Sequence, residues 1–544
     1  MFRQLLCALL TALPLLGAAQ PTGALSKVWV PDLGNGTYKN PVLYADYSDP
    51  DVVRVGADYY LTSSSFNAVP GLQILHSRDL VNWSIIGAVF SKQPPLVRYA
   101  EPQHGNGVWA PAIRYHNKEF YIYYPDPDLG IFVTKAKNPA GPWSAPVCVK
   151  EAKGWIDPCP LWDEDGRAYL VHGFAGSRAG IKTILAISPM SPDGLRLTGD
   201  DALVFDGHAK HPTLEGPKFY KRNGYYYIFA PAGGVPTGWQ LVLRSKNVYG
   251  PYEDRIVMDQ GKTAVNGPHQ GAWVDTPDGK EHWFLHFQDQ GPYGRVVHLQ
   301  PMGWKNDWPV IGADPDGDGK GEPVATYRKP AVKGKAQPLT TPPTSDEFSS
   351  TQLGLQWQWH ANPQDYWAFL NGPQGYLRLY SVPLPEGFKN YWQVPNLLLQ
   401  KLPADVFTAT TKLAFTPRLE GEKLGLIVMG LDYAYLSVAN QGGKLLLSQA
   451  VCLNADKLSP ETTTAPVEVP AAQAGQPLYL RVAVRAGAKC QFSYSFDGQA
   501  FQPLGAEFQA REGKWIGAKV GLFCSRAAKF NDAGAADIDW FRIE

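Results

Sequence analysis

Residues 211–229 read HPTLEGPKFYKRNGYYYIF, and no other stretch is as informative about the fold. Asn223 and Gly224 stand between two runs of aromatic and apolar residues, an arrangement typical of a tight β-hairpin. Glu215 stands shortly before the first of the two predicted strands. An acidic residue at a strand end is ordinarily solvated, so this hairpin gains a functional meaning only through its repetition in the chain.

Four further segments repeat the pattern of a polar or proline-containing start, a turn and an aromatic or apolar strand. They occupy residues 49–62, 109–123, 157–171 and 267–285. Two more strand-like runs follow each hairpin, so about four antiparallel strands recur roughly every 45 to 60 residues. Helical periodicity does not interrupt them. The repeat predicts a five-bladed β-propeller over residues 20–327.

The repeat also predicts where a site would lie. The first strand of each blade lines the central channel of a propeller, so equivalent positions of the five blades converge on its axis. Three of these positions are acidic, and each acidic residue is followed by proline directly or one residue later. The converging residues are Asp49, Trp109 or Ala110, Asp157, Glu215 and His269. Their shared place in the repeat favours a common site over five unrelated strand ends.

The second part of the chain has a different pattern. Residues 328–344 contain four prolines and are predicted to be a linker. Alternating strand-like runs such as residues 478–484 and 491–496 then follow without the blade period. This pattern predicts an all-β sandwich over residues 345–544, which we expect to be a structural or binding module.

The overall composition excludes some functions and favours others. The 544 residues contain 50 Lys and Arg against 50 Asp and Glu, so net charge offers no reason to expect nucleic acid or an anionic membrane as partner. With 44% hydrophobic and 18% charged residues, the chain is typical of a folded globular protein. Its 17 Trp, 27 Tyr and 23 Phe favour a carbohydrate ligand, because sugar-binding clefts need flat apolar faces.

The N-terminus reads as a secretory signal over residues 1–19. Arg3 precedes an apolar run from Leu5 to Leu16, and small residues follow at the predicted cleavage site. We therefore expect an exported protein, periplasmic or secreted, without a membrane partner once the signal is removed. In an oxidising compartment Cys148 with Cys159, or Cys490 with Cys524, are the candidate disulfides among an odd number of remaining cysteines.

One short motif has two interpretations. Residues 314–322 read DPDGDGKGE and resemble the start of a calcium loop, but Ala325 stands where an EF-hand loop needs Glu. A polar turn is the preferred interpretation.

The converging carboxylates suit the hydrolysis of glycosidic bonds. That reaction needs an acid to protonate the leaving oxygen and a carboxylate to activate water or attack the anomeric carbon. The acid must stay protonated near neutral pH, so burial or a neighbouring negative charge must raise its pKa. Two Asp and one Glu supply both roles and a third group to tune the acid.

Five sequence motifs together resemble glycoside hydrolase family 43. They are Ser48-Asp49-Pro50-Asp51, Val108-Trp109-Ala110-Pro111, Ile156-Asp157-Pro158, Leu214-Glu215-Gly216-Pro217 and Gly267-Pro268-His269-Gln270. The resemblance implies a five-bladed propeller enzyme that acts on xylose and arabinofuranose linkages and inverts the anomeric configuration. It covers the mature chain, because exo-acting β-xylosidases and α-L-arabinofuranosidases of this family also carry a C-terminal concanavalin-like β-sandwich.

The resemblance also implies the catalytic roles. Asp49 would be the general base, Glu215 the general acid, and Asp157 the residue that raises the pKa of the acid and orients it. Inversion requires roughly 6.5–9.5 Å between the carboxyl groups of base and acid, which leaves room for the attacking water.

Further binding residues follow from the same resemblance. Phe66 and Trp109 are implied to pack on the terminal sugar, and Arg295 to hydrogen-bond its hydroxyls; blade packing and a surface salt bridge are the alternatives. His269 matches a histidine that contacts a central calcium or its waters in relatives, although a lone His is more often a core residue. No cofactor is expected to be required, and a structural calcium is the only candidate.

The expected activity is exo-acting release of xylose from β-1,4-xylooligosaccharides of plant cell walls. Removal of α-L-arabinofuranosyl side chains is the alternative within the family. Sucrose-acting propeller enzymes have other signatures, since Ser48 precedes Asp49, Ile156 precedes Asp157 and Gly216 follows Glu215 here. A non-catalytic sugar-binding propeller has no use for a glutamic acid with a raised pKa.

Overall fold

A computed structural model describes residues 25–332, 337–473, 475–527 and 529–544. The signal sequence predicted over residues 1–19 lies outside these ranges. The described chain is almost entirely β-structure, and it forms a propeller followed by a β-sandwich, as predicted.

The propeller has five blades, each a four-stranded antiparallel meander built from one continuous stretch of chain. Blade 1 comprises Asp51–Val55, Asp58–Thr62, Gly71–Ser77 and Ser84–Phe90. Blade 2 comprises Ala112–His116, Glu119–Asp126, Gly130–Ala136 and Val147–Glu151. Blade 3 comprises Trp155–Trp162, Ala168–Phe174, Ile184–Met190 and Ala202–Asp206. Blade 4 comprises Lys218–Arg222, Tyr225–Ala232, Trp239–Ser245 and Glu253–Met258. Blade 5 comprises His269–Asp275, His282–Asp289, Arg295–Lys305 and Trp308–Ile311.

The predicted hairpin at residues 218–232 is confirmed in blade 4. Arg222 pairs with Tyr225 across the turn, so the loop has only two residues. Asn223 and Gly224 have φ angles of 49° and 75°, the left-handed values that a type I′ turn requires of both central residues. The local sequence therefore sets the register of the strands that follow Glu215.

A separate apolar core lies at each of the five interfaces between adjacent blades. At the interface of blades 4 and 5, Phe229 packs with Phe284, and at the interface of blades 5 and 1, Trp283 and Tyr59 belong to one core. The other three cores join blades 1 and 2, 2 and 3, and 3 and 4. Because every blade buries both faces against its neighbours, the ring holds the blade starts in fixed positions around one axis.

A small two-stranded sheet joins the two ends of the propeller. Thr37–Lys39 pairs antiparallel with Thr326–Arg328, and the backbone N–H of Asn40 donates to the Ala325 carbonyl at 2.8 Å. The Asn40 amide donates to the carbonyls of Leu299 and Val324, both at 2.8 Å. We call this sheet the clasp, because it closes the ring from outside the blades.

The C-terminal domain consists of two sheets that enclose one apolar core and are antiparallel except for one short parallel pair at the side of the first sheet. In order across the first sheet, the strands are Gln358–Trp359, Leu398–Lys401, Lys519–Arg526, Lys423–Met429, Tyr433–Gln441, Lys444–Cys452 and Thr462–Thr463, with Val382–Pro383 and Val467–Glu468 paired at its side. Across the second they are Ala368–Asn371, Tyr376–Tyr380, Ala535–Ile543, Phe407–Thr416, Leu478–Arg485, Lys489–Ser495 and Gln502–Pro503, with Phe508–Gln509 at its side.

Helical structure among the described residues is confined to single turns. One α-helical turn spans Gly176–Ala179, and 3₁₀ turns span Arg98–Ala100, Gly291–Tyr293, Tyr391–Gln393, Ala455–Lys457 and Ala471–Gln473. Within the described ranges, no helix has the length and apolar character needed to cross a membrane. The domain boundaries predicted at residues 20, 327 and 344 stay predictions.

The two candidate disulfides are wrong, because all five described cysteines are unpaired. Cys148 lies on the last strand of blade 2, whereas Cys159 lies on the first strand of blade 3. Cys490 and Cys524 lie on opposite sheets of the sandwich. Packed sheets are about 10 Å apart, beyond the Cα separation that a disulfide spans.

The segment that resembles a calcium loop is a turn with its own hydrogen bonds. An Asp314 carboxylate oxygen accepts from the Gly319 backbone N–H at 3.2 Å. Lys320 extends from the turn to Asp259, with Nζ 2.7 Å from the carboxylate. In the described part of the chain no three His, Cys, Asp or Glu side chains come together as metal ligands.

Candidate active site

A cavity of about 360 Å³ lies at the propeller axis and is lined by all five blades. The residues that the repeat predicted to converge lie at, or just before, the first strand of their blades. They are Asp49, Trp109 and Ala110, Asp157, Glu215 and His269, and every one of them lines this cavity. The structure thus brings the three carboxylates, the Trp and the His into one site.

Asp49 is buried and held by three donors. Its backbone has a φ of 53°, a left-handed conformation uncommon for a residue with a side chain and typical of functional sites. One carboxylate oxygen accepts from the Ser64 hydroxyl at 2.6 Å and the Ser48 hydroxyl at 3.0 Å. The other lies 3.1 Å from Nη1 of Arg295. Because donors contact both oxygens, the Asp49 carboxylate is held in one orientation, in which it accepts hydrogen bonds.

Arg295 orients the Asp49 carboxylate from blade 5. Its Nη1 also donates to the Ser48 hydroxyl at 2.6 Å, and its guanidinium lies 4.8 Å from the centre of the Phe287 ring. Arg295 is only 8% exposed, so the surface salt bridge considered as the alternative is excluded. It lines the cavity, and its closest contacts are with the carboxylate and its supporting serine.

Asp157 is fully buried between blades 3 and 4. Its φ of 57° lies at an irregularity in the pairing of the first two strands of blade 3, between Ile156 and Cys159. The carboxylate accepts from the Gly216 backbone N–H at 2.7 Å. Burial, together with the neighbouring Glu215 carboxylate, raises the pKa of Asp157 to about 8. The Asp157 carboxyl therefore favours its protonated form more than an exposed aspartate does.

Glu215 is the most accessible of the three carboxylates, with 27% of its side chain exposed. Its backbone N–H donates to the Pro231 carbonyl at 3.1 Å, which anchors it to the second strand of blade 4. One carboxylate oxygen lies 2.8 Å from Nε2 of buried His269. An exposed carboxyl with one oxygen fixed from behind can present the other oxygen to a ligand.

Phe66 and Trp109 add apolar surface to the cavity. Phe66 has a φ of 51° and forms an isolated bridge with Val108, which fixes it beside the start of blade 2. The Trp109 indole donates to the Gly105 carbonyl at 2.8 Å, and the Arg178 guanidinium lies 5.3 Å from the ring centre. Both aromatic rings therefore have fixed positions at the site.

Several further residues line the cavity beyond those to which the sequence assigned a role. They are Phe174, Ala175, Gly176, Ser177, Lys182, Thr213, Val235, Pro236 and Gln270. Most of them lie on loops between strands, whereas Phe174 and Gln270 lie on strands of blades 3 and 5. Lys182 donates to the Thr213 hydroxyl at 3.3 Å, so two of these loops are joined at the site.

The sandwich domain also reaches the cavity, through Trp515. This residue has a φ of 64° and remains 50% exposed on a loop that precedes the strand Lys519–Arg526. A Cβ on Gly105 would lie 2.8 Å from the indole of Trp515, so the absence of a side chain at Gly105 permits this approach. The domain is therefore part of the site wall as well as a separate fold.

The calcium proposed for His269 is not supported by its surroundings. Calcium takes six to eight oxygen ligands, whereas His269 offers a ring nitrogen, and its Nε2 is already bonded to Glu215. Nδ1 of His269 is buried without a hydrogen-bond partner. One buried nitrogen without a partner is not a calcium site. No observed contact therefore supports the metal, and the calcium stays a prediction.

Two family models together match most of the chain. The model of "Glycosyl hydrolases family 43" matches residues 38–309, which contain all five blade starts. The model of the "Beta xylosidase C-terminal Concanavalin A-like domain" matches residues 345–544. Both the fold class and the order of the domains agree with the prediction.

Known proteins are similar over most of the length of the chain. A protein of Xylanibacter ruminicola provisionally named beta-xylosidase is 41% identical over 90% of this chain and 86% of its own. A non-reducing end alpha-L-arabinofuranosidase of Bacteroides ovatus is 31% identical over 74% of this chain and 75% of its own. The crystal structure of a xylan beta-1,4-xylosidase from Bacillus halodurans, 25% identical, superimposes with a TM-score of 0.81 over 93% of this chain and 99% of its own. The chain belongs to glycosyl hydrolase family 43.

Proposed function

We propose that this protein is an exo-acting glycoside hydrolase that releases xylose from the non-reducing end of β-1,4-xylooligosaccharides with inversion. One observation carries the proposal: Asp49, Asp157 and Glu215 line one cavity, yet each has different partners and a different exposure. Hydrolysis by inversion needs such unlike carboxyl groups, because one must accept a proton while the other donates it.

Asp49 is suited to the role of general base. Ser48, Ser64 and Arg295 all donate to its carboxylate, so the group is oriented and retains lone pairs for an attacking water. In this role Asp49 takes a proton from the water as the water's oxygen bonds to the anomeric carbon. The glycosidic bond breaks on the opposite face of the sugar.

Glu215 is suited to the role of general acid. Its exposed oxygen can give a proton to the leaving glycosidic oxygen, while the other oxygen is held by His269. Asp157 and Glu215 repel each other when both are charged, so the pair retains a proton near neutral pH. Catalysis requires that proton on Glu215, with the Asp157 carboxylate then stabilised by the Gly216 N–H.

The remaining lining residues fit a small sugar. Phe66, Trp109 and Trp515 offer apolar surface suited to the carbon faces of a pentose. The volume of about 360 Å³ lies near the lower end of small-molecule sites, which favours a terminal residue over a long polysaccharide segment. The names of the relatives support both xylose and a non-reducing end as the point of attack.

Activity on α-L-arabinofuranosides is the second candidate. The relative from Bacteroides ovatus carries that name, and the two pentoses share much of their shape. Plant cell-wall arabinoxylan would contain both substrates. The apolar N-terminal run that reads as a secretory signal supports export to such an extracellular substrate.

Hydrolysis of nitrophenyl β-xyloside and nitrophenyl α-arabinofuranoside tests the proposal and ranks the two sugars. We expect the higher kcat/KM on the xyloside and release of xylose from xylobiose. Absence of turnover on all three substrates would refute the proposal. Nuclear magnetic resonance of the first product should show the α-anomer of xylose, and a β-anomer would contradict Asp49 as base.

A further inference from the structure

A buried carboxylate outside the cavity connects the two domains. Asp46 is 4% exposed and lies three residues before Asp49. One of its oxygens accepts from the Arg295 backbone N–H at 3.0 Å, and the other accepts from the Gly517 backbone N–H at 3.1 Å. The first donor belongs to the propeller and the second to the sandwich.

Both partners of Asp46 lead directly to the site. The side chain of Arg295 donates to Asp49, the residue proposed as base. Gly517 stands two residues after Trp515, on the loop that brings this indole to the cavity. The next residue of that loop, Ala518, donates from its backbone N–H to the Pro292 carbonyl of the propeller at 2.7 Å.

The backbones around Asp46 approach closely. A Cβ on Gly517 would lie 2.6 Å from the Gly294 nitrogen, and a Cβ on Gly294 would lie 2.5 Å from the Asp46 Cβ. Contacts this short leave no room for a methyl group. The loop with Trp515 and the segment with Arg295 are therefore in direct contact, with the Asp46 carboxylate bonded to both.

Two lysines of the sandwich compensate the buried charge. Burial raises the pKa of Asp46, and the positive charges of Lys401 and Lys519 act in the opposite direction. Burial also lowers the pKa of Lys401 to about 7 and that of Lys519 to about 8. Lys401 Nζ is fixed by Gln73, whose side-chain oxygen lies 2.6 Å away, and by the Tyr47 ring, whose centre lies 3.7 Å away.

We propose that Asp46 is a positioning residue for this reaction: it holds Arg295 against Asp49 and holds the Trp515 loop over the same cavity. The inference rests on the proposed function. It assigns to the sandwich a part in substrate binding and in orientation of the base, both transmitted through one carboxylate. If Asp46 only joined the two domains, its loss would change neither substrate binding nor the orientation of the base.

Asp46→Asn tests the proposal, because the asparagine amide can accept from only one of the two N–H donors. We expect kcat/KM on xylobiose to fall roughly 10- to 100-fold, the range that small displacements of catalytic groups produce. Both parameters should change: a lower kcat through Arg295 and a higher KM through Trp515. In a Trp515→Ala background the effect of Asp46→Asn on KM should largely disappear, while its effect on kcat should persist.

Gln358→Ala is the matched control for domain contact. Gln358 is buried at the interface and donates to the Pro70 carbonyl at 2.8 Å, but neither residue lines the cavity. This variant should lower the thermal midpoint and leave kcat and KM at wild-type values. If Asp46→Asn behaved in the same way, or if its effect on KM were unchanged by Trp515→Ala, the proposal would be wrong.

Gly517→Ala provides a test that leaves the Asp46 charge intact, should Asp46→Asn fail to fold. Its methyl group would push the loop away from Gly294, so KM should rise; a folded variant with wild-type KM would overturn the proposal. Xylobiose binding to Glu215→Gln protein, measured by calorimetry with and without Gly517→Ala, gives the same comparison without turnover. If wild-type protein bound xylobiose but never hydrolysed it, the proposed function would be refuted. The binding comparison with and without Gly517→Ala would still test the role of Asp46.

Discussion

Nε2 of His269 lies 2.8 Å from a carboxylate oxygen of Glu215, and this contact joins the first strand of blade 5 to the start of blade 4. His269 is completely buried, so it can orient Glu215 without contact with solvent. The proposed acid is thus held by a neighbouring blade through one oxygen, while 27% of its side chain remains exposed. The following predictions start from this arrangement.

Glu215→Gln should abolish most hydrolysis of xylobiose, because the amide has no proton to give to the leaving oxygen. A loss of about 10²–10⁴ in kcat is the usual contribution of such an acid. Nitrophenyl β-xyloside should suffer less, since nitrophenolate leaves without protonation. Comparison of kcat on the two substrates checks this prediction, and an equal loss on both would contradict the acid role.

His269→Asn should reduce kcat on xylobiose about tenfold and leave KM nearly unchanged, because Glu215 loses its orientation while the sugar contacts remain. Steady-state kinetics on xylobiose and on nitrophenyl β-xyloside provide the measurement. A change confined to KM would indicate that His269 acts on the sugar and not on Glu215.

Asp157→Asn should shift the pH dependence of activity as well as its size. Without the negative charge of Asp157, the carboxyl that remains releases its proton more readily. The alkaline limb of the kcat/KM profile should therefore move to lower pH. A limb at the wild-type position would show that Asp157 has no electrostatic effect on the acid.

The same variant should change stability with a defined sign. Folding raises the pKa of Asp157 from about 4 to about 8, so the ionisation-linked cost of its burial is absent at low pH and grows until pH 8. Asp157→Asn should therefore unfold at a higher temperature than wild type at pH 8.5 and show a smaller difference at pH 5. Scanning calorimetry at both pH values checks the sign.

Trp515→Ala should weaken binding more than it affects folding. The indole is half exposed, so its removal should cost little stability, whereas the cavity loses an apolar wall supplied by the sandwich. We expect KM for xylobiose to rise about tenfold with kcat close to wild type, in line with the roughly 1–3 kcal/mol that an apolar contact contributes to discrimination. If neither KM nor the dissociation constant rose, Trp515 would be excluded from the binding site.

Removal of divalent metal should leave turnover intact, since the proposed chemistry uses carboxyl groups alone. The measurement is kcat before and after dialysis against a calcium chelator, with elemental analysis of the same samples. Loss of activity that added calcium restores would contradict this prediction.

Much of the propeller could be predicted because its information is local. A hairpin comparable to the one at Asn223-Gly224, followed by an aromatic or apolar strand, recurs in each blade, and a repeat places equivalent residues on one axis. Asp49, Asp157 and Glu215 therefore came together as expected. The left-handed backbone at Asp49 and Asp157 had no sequence signal, since neither residue is glycine.

The remainder depends on contacts between distant parts of the chain. Trp515 reaches the cavity only because the sandwich docks beside blade 2, and a single Trp among many has no periodic partner that reveals its position. The bond between Glu215 and His269 depends on how two blades are rotated around the axis. The cysteine pairs failed for a similar reason, because sequence proximity says nothing about which strand edge or sheet carries each thiol.

The clasp has a practical consequence for anyone who wishes to produce the propeller alone. Protein ending at residue 309 would cut into the strand Trp308–Ile311 and lose Thr326–Arg328, the partner of Thr37–Lys39. It would also lose Tyr327, whose ring stands edge-on to Trp283 at 6.1 Å and shields the last blade interface. An expressible fragment should therefore begin before Thr37 and extend past Arg328, and shorter versions should aggregate through their uncovered blade faces.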